Sequence, residues 1–421
     1  MNEYDSGLVS KILEGHGRAA TPEEAGVILL NTCAIREKAH EKVYARLASF
    51  RGLKKENPGL VIGLLGCMAQ NLGEDLFEMD LPLDFIAGPD SYRKLPELVS
   101  ARAERVQTRL SLDETYEDIR PQVIHGCLGA VTIMRGCNNF CSFCVVPYTR
   151  GRERSRSVES VIEEIQGLSQ AGVREVMLLG QNVNSYRAGD ADFAALVQRI
   201  LDETDLARIR FISPHPHDFP EHLIELMARE KRFCSQIHLP LQSGSTAVLS
   251  RMKRDYSREE FLAVVDRIRS HIPDCALTTD VIAGFCGETE EEFEDTLSLL
   301  EQVQFDMAFM FRYSERELTY ASKHLPDDVP ETVKLERLDR MIQLQGAVSK
   351  SRNEAEVGRI HEVLIEGRSR RSEADWCGRT EHGKKVVFQK TEDMQVGQIL
   401  PVRIDAASSV TLRGSPAVAV F

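Results

Sequence analysis

The stretch that decides the fold runs from Ala130 to Cys144 and reads Ala-Val-Thr-Ile-Met-Arg-Gly-Cys-Asn-Asn-Phe-Cys-Ser-Phe-Cys. Its first five residues suit a buried strand. The loop that follows carries Cys137, Cys141 and Cys144 in a C-x3-C-x2-C spacing. A zinc site would want a fourth His or Cys at comparable spacing, and none follows promptly. Three close thiolates suit a cubane iron–sulfur cluster, in which one iron stays open to an exogenous ligand. Asn138, Asn139 and Ser142 are short and polar, as expected of a loop wrapped round a cluster whose sulfurs accept from backbone donors. Zinc or inert cysteines are the alternatives.

Outward from this stretch the pattern is α/β. Strand candidates recur at Val176–Leu179, Ile209–Ser213, Ile237–Leu241, Leu277–Phe285 and Met307–Tyr313. Helical periodicity lies between them, at Val158–Gln170, Phe193–Leu201, Glu221–Arg229, Ser257–Arg269 and Glu290–Gln302. Six strands with intervening helices predict a partial (β/α)6 barrel, with an open doubly wound sheet as the alternative; in both, ligands collect at the carboxyl ends of the strands. A long helix, Glu331–Ser349, closes the series. Upstream, helical Gly7–Glu14 and Arg36–Leu53 alternate with apolar Gly26–Leu30, Leu60–Leu65 and Leu83–Ala87, which predicts a small parallel sheet. The chain opens directly on a helix, where such a domain would normally place a strand first. Downstream, Ile360–Ile365, Lys385–Phe388, Ile399–Ile404 and Ser409–Leu412 predict a small β-barrel of about five strands. The expected boundaries are 1–104, a polar linker 105–126 with room for one extended segment, a core over 127–351 and the small barrel over 352–421.

The 421 residues are 42% apolar and 28% charged, the composition of a globular protein rather than a disordered or fibrous one. No run approaches a membrane span and the start has no signal peptide, so no membrane partner is expected and the expected location is cytoplasmic. Ten irregularly spaced cysteines do not make a disulfide scaffold. The net charge of −13 argues weakly against broad phosphate binding. It is unevenly spread, however, and a basic run, Arg150, Arg152, Arg154 and Arg156, follows the cysteine loop. That run reads either as a solvated loop or as a set of ligand contacts.

The cysteine spacing after the first strand of a (β/α) series resembles the radical S-adenosylmethionine (SAM) superfamily. The resemblance implies that SAM's amino and carboxylate groups chelate the open iron, and that its reductive cleavage gives a radical that takes hydrogen from an unactivated carbon. It also implies SAM contacts in the cysteine loop and at the other strand ends: Phe143, Gly180, Gln181, Asn182, Ser213, Gln242 beside Ser243, and Gly284 in the Gly284–Gly287 turn. Four further segments narrow the match: Asn31-Thr-Cys-Ala-Ile-Arg-Glu-Lys38, Gly66-Cys-Met-Ala-Gln70, Pro147-Tyr-Thr-Arg-Gly-Arg-Glu-Arg-Ser155 and His238-Leu-Pro-Leu-Gln-Ser-Gly244. Together they resemble the methylthiotransferase family, most of all its bacterial branch acting on N6-dimethylallyladenosine in tRNA.

That resemblance implies three parts: an N-terminal methylthiotransferase domain, a radical SAM barrel and a C-terminal TRAM domain. It implies two [4Fe–4S] clusters, the auxiliary one using Cys33 and Cys67. The family's third auxiliary cysteine belongs to a Gly-Cys-Gln-Met-Asn-Glu-Tyr-Asp-Ser motif, and this chain opens inside it at Met1-Asn-Glu-Tyr-Asp-Ser6. The family's first strand and first cysteine are therefore expected upstream, beyond a start codon assigned too late or a truncated sequence. If Met1 is the true start, the auxiliary cluster is incomplete. The implied reaction adds a methylthio group to carbon 2 of N6-dimethylallyladenosine at position 37 of tRNA, one SAM supplying the methyl group and a second the radical. No general acid or base is assigned. The implied partners are a tRNA anticodon stem-loop, an electron donor such as flavodoxin or ferredoxin, and a sulfur source, with a monomeric enzyme.

Arg368, Arg370, Arg371, Arg379, Lys384 and Lys385 are candidate phosphate contacts, and Arg150 to Arg156 gain a reading as RNA or SAM contacts. Rival activities are methylthiolation of threonylcarbamoyladenosine in tRNA or of a ribosomal-protein aspartate. A form without the auxiliary cluster would only bind tRNA or cleave SAM unproductively. Cys127, Cys234, Cys275, Cys286 and Cys377 read as isolated thiols, and His215-Pro-His217 as strand-end structure rather than a metal site.

Overall fold

A computed structural model describes every residue except 34–36, 101, 122, 392 and 418–421, and no side chains of 37–39. The middle of the Asn31–Lys38 motif therefore lies outside the described residues.

The chain opens on the helix Asn2–Ile12, five residues earlier than the apolar pattern indicates, because its first turn is polar. Four strands follow: β1 (Val27–Thr32), β2 (Val61–Gly66), β3 (Phe85–Ala87) and β4 (Val106–Gln107). They form one parallel sheet in the order of the chain. The fourth strand is a short extended segment within the polar linker 105–126. The linker also buries Tyr116, whose hydroxyl donates to the Pro89 carbonyl and accepts from the Tyr92 amide. Arg93 is forked between Glu114 and Asp118. Polar contacts rather than an apolar stripe hold the segment, so periodicity gives no sign of it.

Six parallel strands make the open barrel: β5 (Leu128–Thr132), β6 (Glu175–Leu179), β7 (Arg208–Phe211), β8 (Gln236–His238), β9 (Ala276–Ala283) and β10 (Met307–Arg312). β5, β6 and β7 pair directly, as do β8, β9 and β10, and the Ile209–Phe233 bridge joins the two halves. The helices Val158–Gln170 and Glu221–Arg229 occur where the periodicity places them. Sharp starts come from capping: Ser257 with Glu260 and Thr289 with Glu292 each close a reciprocal box. The helix Glu331–Glu354 packs along β10 and leads into the C-terminal unit.

That unit is a closed barrel of β11 (Ile360–Ser369), β12 (Ser372–Thr380), β13 (Lys385–Gln389), β14 (Ile399–Ala407) and β15 (Leu412–Pro416). The sequence reading missed β12, which is polar on its exposed side and is held by pairing on both edges. The barrel is docked on the amino ends of the core strands. Arg208 donates to the carbonyls of Arg379 and Glu362, each at 2.7 Å. Arg210 donates to those of Thr380 and Glu381. Cys127 is buried against Ile365 in the same contact, not beside Cys33 or Cys67. Among the described residues no helix is long and apolar enough to cross a membrane.

Candidate active site

The cysteine loop leaves the carboxyl end of β5, and its shape is fixed from several directions. Gly136 has φ of +81°, and a Cβ there would lie 1.9 Å from the Arg152 carbonyl, so only glycine fits. The Cys137 amide donates to Gly151 O at 3.2 Å. Ser142 donates through its amide to Met252 O and through its hydroxyl to Arg251 O, both at 2.8 Å. Cys141 Sγ accepts from Arg254 at 3.4 Å, and Cys144 Sγ from the Val146 amide at 3.5 Å.

The three thiols act on one another. Burial pushes Cys137 up to about 11, with Cys141 and Glu153 adding to it. Burial, then Cys141 and Cys137, push Cys144 up to about 12. Among the described residues no three His, Cys, Asp or Glu side chains converge as they would on a single ion. Cubane ligands bind separate irons, so their sulfurs stand farther apart than ligands round one ion.

Cys33 and Cys67 follow β1 and β2 directly, and the register pairs Thr32 with Gly66, so the two cysteines leave adjacent strand ends at one level. Cys67 opens the helix Cys67–Leu72 and packs on Val145, the neighbour of Cys144. Its sulfur accepts from Arg150 Nε at 3.2 Å. Cys67 and the core cysteine loop thus meet across one contact.

Arg150 also corrects the reading of the basic run. Arg150, Arg154 and Arg156 are buried, and only Arg152 of the four is exposed, over the Phe140 ring at 4.3 Å. Arg150 and Arg135 hold Asp5, at 2.6 and 3.1 Å. Arg154 holds Asp90 at 2.8 Å, and Arg156 holds Glu164 at 2.5 Å with Tyr4 against both. These arginines join the N-terminal unit to the barrel and are not free for RNA. Similarly Lys384, offered as a phosphate contact, is tied to Asp306 and Asn353 at 2.8 Å. Arg368, Arg370, Arg371, Arg379 and Lys385 are exposed.

The strand-end candidates fall into two groups. Gln181 accepts from the Gly136 amide at 2.6 Å, and Asn182 reaches Glu153, which also accepts from the Asn138 amide. Ser213 and Gln242 take positive φ of +63° and +69°, costly for residues with a Cβ and characteristic of functional rims. Gly180 and Gly284 are closely packed: a Cβ would meet Met134 at 2.7 Å in the first case and Lys334 at 2.4 Å in the second. Phe143 packs edge-on against Phe285. Arg254 was not among the sequence candidates, since nothing in its Arg-Met-Lys-Arg run marks a sulfur contact.

His215 is buried, accepts from the His217 amide and meets the Tyr256 ring edge-on. It is strand-end structure. Burial, then the charges of Arg254 and His217, push it from 6.5 down to about 2. The folded chain thus keeps His215 neutral while the unfolded chain takes up a proton below about 6.5. Its contribution to stability is complete above that pH and is lost as pH falls. Between pH 7.5 and 5.5 the protein is expected to lose about 1.4 kcal/mol more than a His215→Gln variant, read from urea midpoints.

Comparison with known proteins follows these divisions. The radical SAM superfamily model matches residues 131–300, the "Uncharacterized protein family UPF0004" model residues 1–88, and the TRAM domain model residues 354–417. The chain is 49% identical to a tRNA-2-methylthio-N(6)-dimethylallyladenosine synthase of Porphyromonas gingivalis, covering 98% of this chain and 92% of the relative. It is 45% identical to the synthase of that name from Chlorobium phaeobacteroides, covering 99% and 95%. Among solved structures it resembles the radical SAM methyltransferase TsrM of Kitasatospora setae, with a TM-score of 0.60 at 14% identity over 76% of this chain and 74% of that one. That likeness carries the fold alone. By near-full-length similarity to its sequence relatives, the chain belongs to the tRNA-2-methylthio-N(6)-dimethylallyladenosine synthase family of the radical SAM superfamily.

Proposed function

We propose that this chain adds a methylthio group to carbon 2 of N6-dimethylallyladenosine at position 37 of tRNA. The observation that carries the reading is the contact of Cys67 with Arg150 and Val145. An enzyme that only generates a radical needs one set of thiols, whereas transfer of a sulfur group calls for a second set beside it.

The residues present fit the implied groups. Cys137, Cys141 and Cys144 supply three thiols on one buried loop, with Arg254 and the Val146 amide as donors to sulfur. Arg150 keeps Nη1 buried without a partner while its Nε serves Cys67, a cationic donor suited to anionic cluster sulfur. Asn182 Oδ1 and His215 Nε2 are also buried and unpartnered at the strand-end rim, as a polar ligand such as SAM requires. Cys137, Cys141 and Cys144 would hold the radical cluster, and Cys33 and Cys67 would be ligands of the auxiliary one. Gln181, Asn182, Ser213 and Gln242 would line the SAM site. When bound, the clusters and SAM supply one-electron chemistry that removes hydrogen from an unactivated carbon.

The chain's own part is to position and to exclude water. The Arg254 guanidinium and the loop amides hold the sulfurs, and the buried Asp5 and Asp90 pairs, with Tyr4 bonded to Arg156 and Glu164, fix the N-terminal unit over the loop. The exposed arginines of the C-terminal barrel are suited to backbone phosphates of an anticodon stem-loop. In this reading the enzyme works as a cytoplasmic monomer, with units at 1–104, 127–351 and 352–421. It draws on a flavodoxin- or ferredoxin-type donor and an external sulfur source.

The test is anaerobic incubation of the reconstituted protein with SAM, reductant, sulfide and tRNA bearing N6-dimethylallyladenosine, followed by nucleoside mass spectrometry. The expected product is heavier by one CH2S unit. Modification only of threonylcarbamoyladenosine tRNA, or only of a ribosomal-protein aspartate, would replace the assignment with that rival.

A further inference from the structure

We propose that the barrel-lumen face shared by His238, Asp280 and Phe309 is the receptor for a flipped-out purine base. Side-chain alternation fixes which way these residues point. Ile237, Leu277, Val281 and Ala283 belong to the main core beneath the helices, and Met310 packs against it. Their neighbours His238, Thr278, Asp280, Met307 and Phe309 therefore face the lumen. The register sets Phe309 opposite Asp280 and Met307 opposite Thr278.

On that face the polar groups are already arranged. His238 Nε2 donates to Asp280 Oδ2 at 3.2 Å, and its Nδ1 lies 3.0 Å from the Thr278 hydroxyl. The His238 ring meets Phe309 edge-on, with centroids 5.9 Å apart. Phe309 nonetheless stays 43% exposed, although inward positions of a parallel barrel are normally covered. An open aromatic ring beside an oriented carboxylate has the two features a displayed purine needs. The ring offers a stacking surface, and the carboxylate accepts from the N–H on carbon 6.

The face is continuous with the cysteine loop. The Gln242 amide donates to the Asp280 carbonyl at 2.8 Å. Arg254, bonded to Cys141 Sγ, also donates to the carbonyl of Pro240, two residues past His238. A base held on Phe309 would lie within the lumen, level with Asp280 in the middle of β9 and below the strand ends from which the cysteine loop is anchored.

This inference rests on the tRNA reading above, and its test separates the two. An anticodon stem-loop RNA with formycin, a fluorescent adenosine isomer that keeps the exocyclic amine of carbon 6, at the modified position is titrated with the whole reconstituted chain. Anisotropy reports binding and fluorescence quenching reports stacking. Phe309→Tyr is expected to quench as the parent does. Phe309→Leu, with unchanged circular dichroism and iron content, is expected to lose the quenching and bind about 5- to 150-fold more weakly, the range of one base stack. Absence of RNA binding by the parent would overturn the tRNA reading. Binding with undiminished quenching in Phe309→Leu would overturn the base receptor alone.

Discussion

Cys141→Ala is expected to remove about four irons per chain and to bring nucleoside methylthiolation below detection. Three thiolates are the fewest that hold a cubane while leaving one iron open, so losing one removes the site rather than weakening it. Cys141 is the buried member of the trio, and its sulfur is the acceptor for Arg254. In the variant Arg254 retains Tyr256 and the Pro240 carbonyl, so the fold should persist and circular dichroism should match the parent. Cys234→Ala and Cys275→Ala, which alter buried thiols far from the loop in sequence, should keep their iron. Parental iron and turnover in Cys141→Ala would remove this cysteine from the site.

The second large effect is structural. Asp5→Asn should destabilise the protein by about 3–5 kcal/mol, the usual cost of stripping one partner from a buried ion pair. Asp5 is completely buried, which pushes its carboxyl up, but Arg150 and Arg135 outweigh burial and hold it below the usual range. Asparagine has nearly the same shape and no charge, so two buried guanidinium groups would lose their counter-ion. Because Arg150 also serves Cys67, the variant should disturb the auxiliary site as well. Urea denaturation reads the first effect, and a loss under 1 kcal/mol would show that the pair is not what joins the two units.

The core fold was legible because its signals are local. An apolar strand leads straight into three cysteines within eight residues, and the amphipathic helices Val158–Gln170 and Glu221–Arg229 show themselves by period. Long-range polar pairing was not legible. Arg150, Arg154 and Arg156 read in sequence as part of a solvated or ligand-binding basic run, and the residues that neutralise them include Asp5 and Asp90, from another structural unit. The same blindness concealed the order in 105–126, held by Arg93 and Tyr116, and the burial of Lys384 on Asp306. The packing need at Gly284 was equally hidden, since the Lys334 stem that occupies the space a Cβ would need lies 50 residues on.

The central claim is that Cys137, Cys141 and Cys144 hold a cluster with one iron open to SAM. The most direct measurement is electron paramagnetic resonance of the anaerobically reconstituted, reduced protein before and after adding SAM. The spectrum is expected to change on addition, and the SAM-responsive signal to be absent when the three cysteines are replaced together by alanine. A spectrum indifferent to SAM in fully loaded protein, or a SAM-responsive signal surviving in the triple variant, would contradict the assignment.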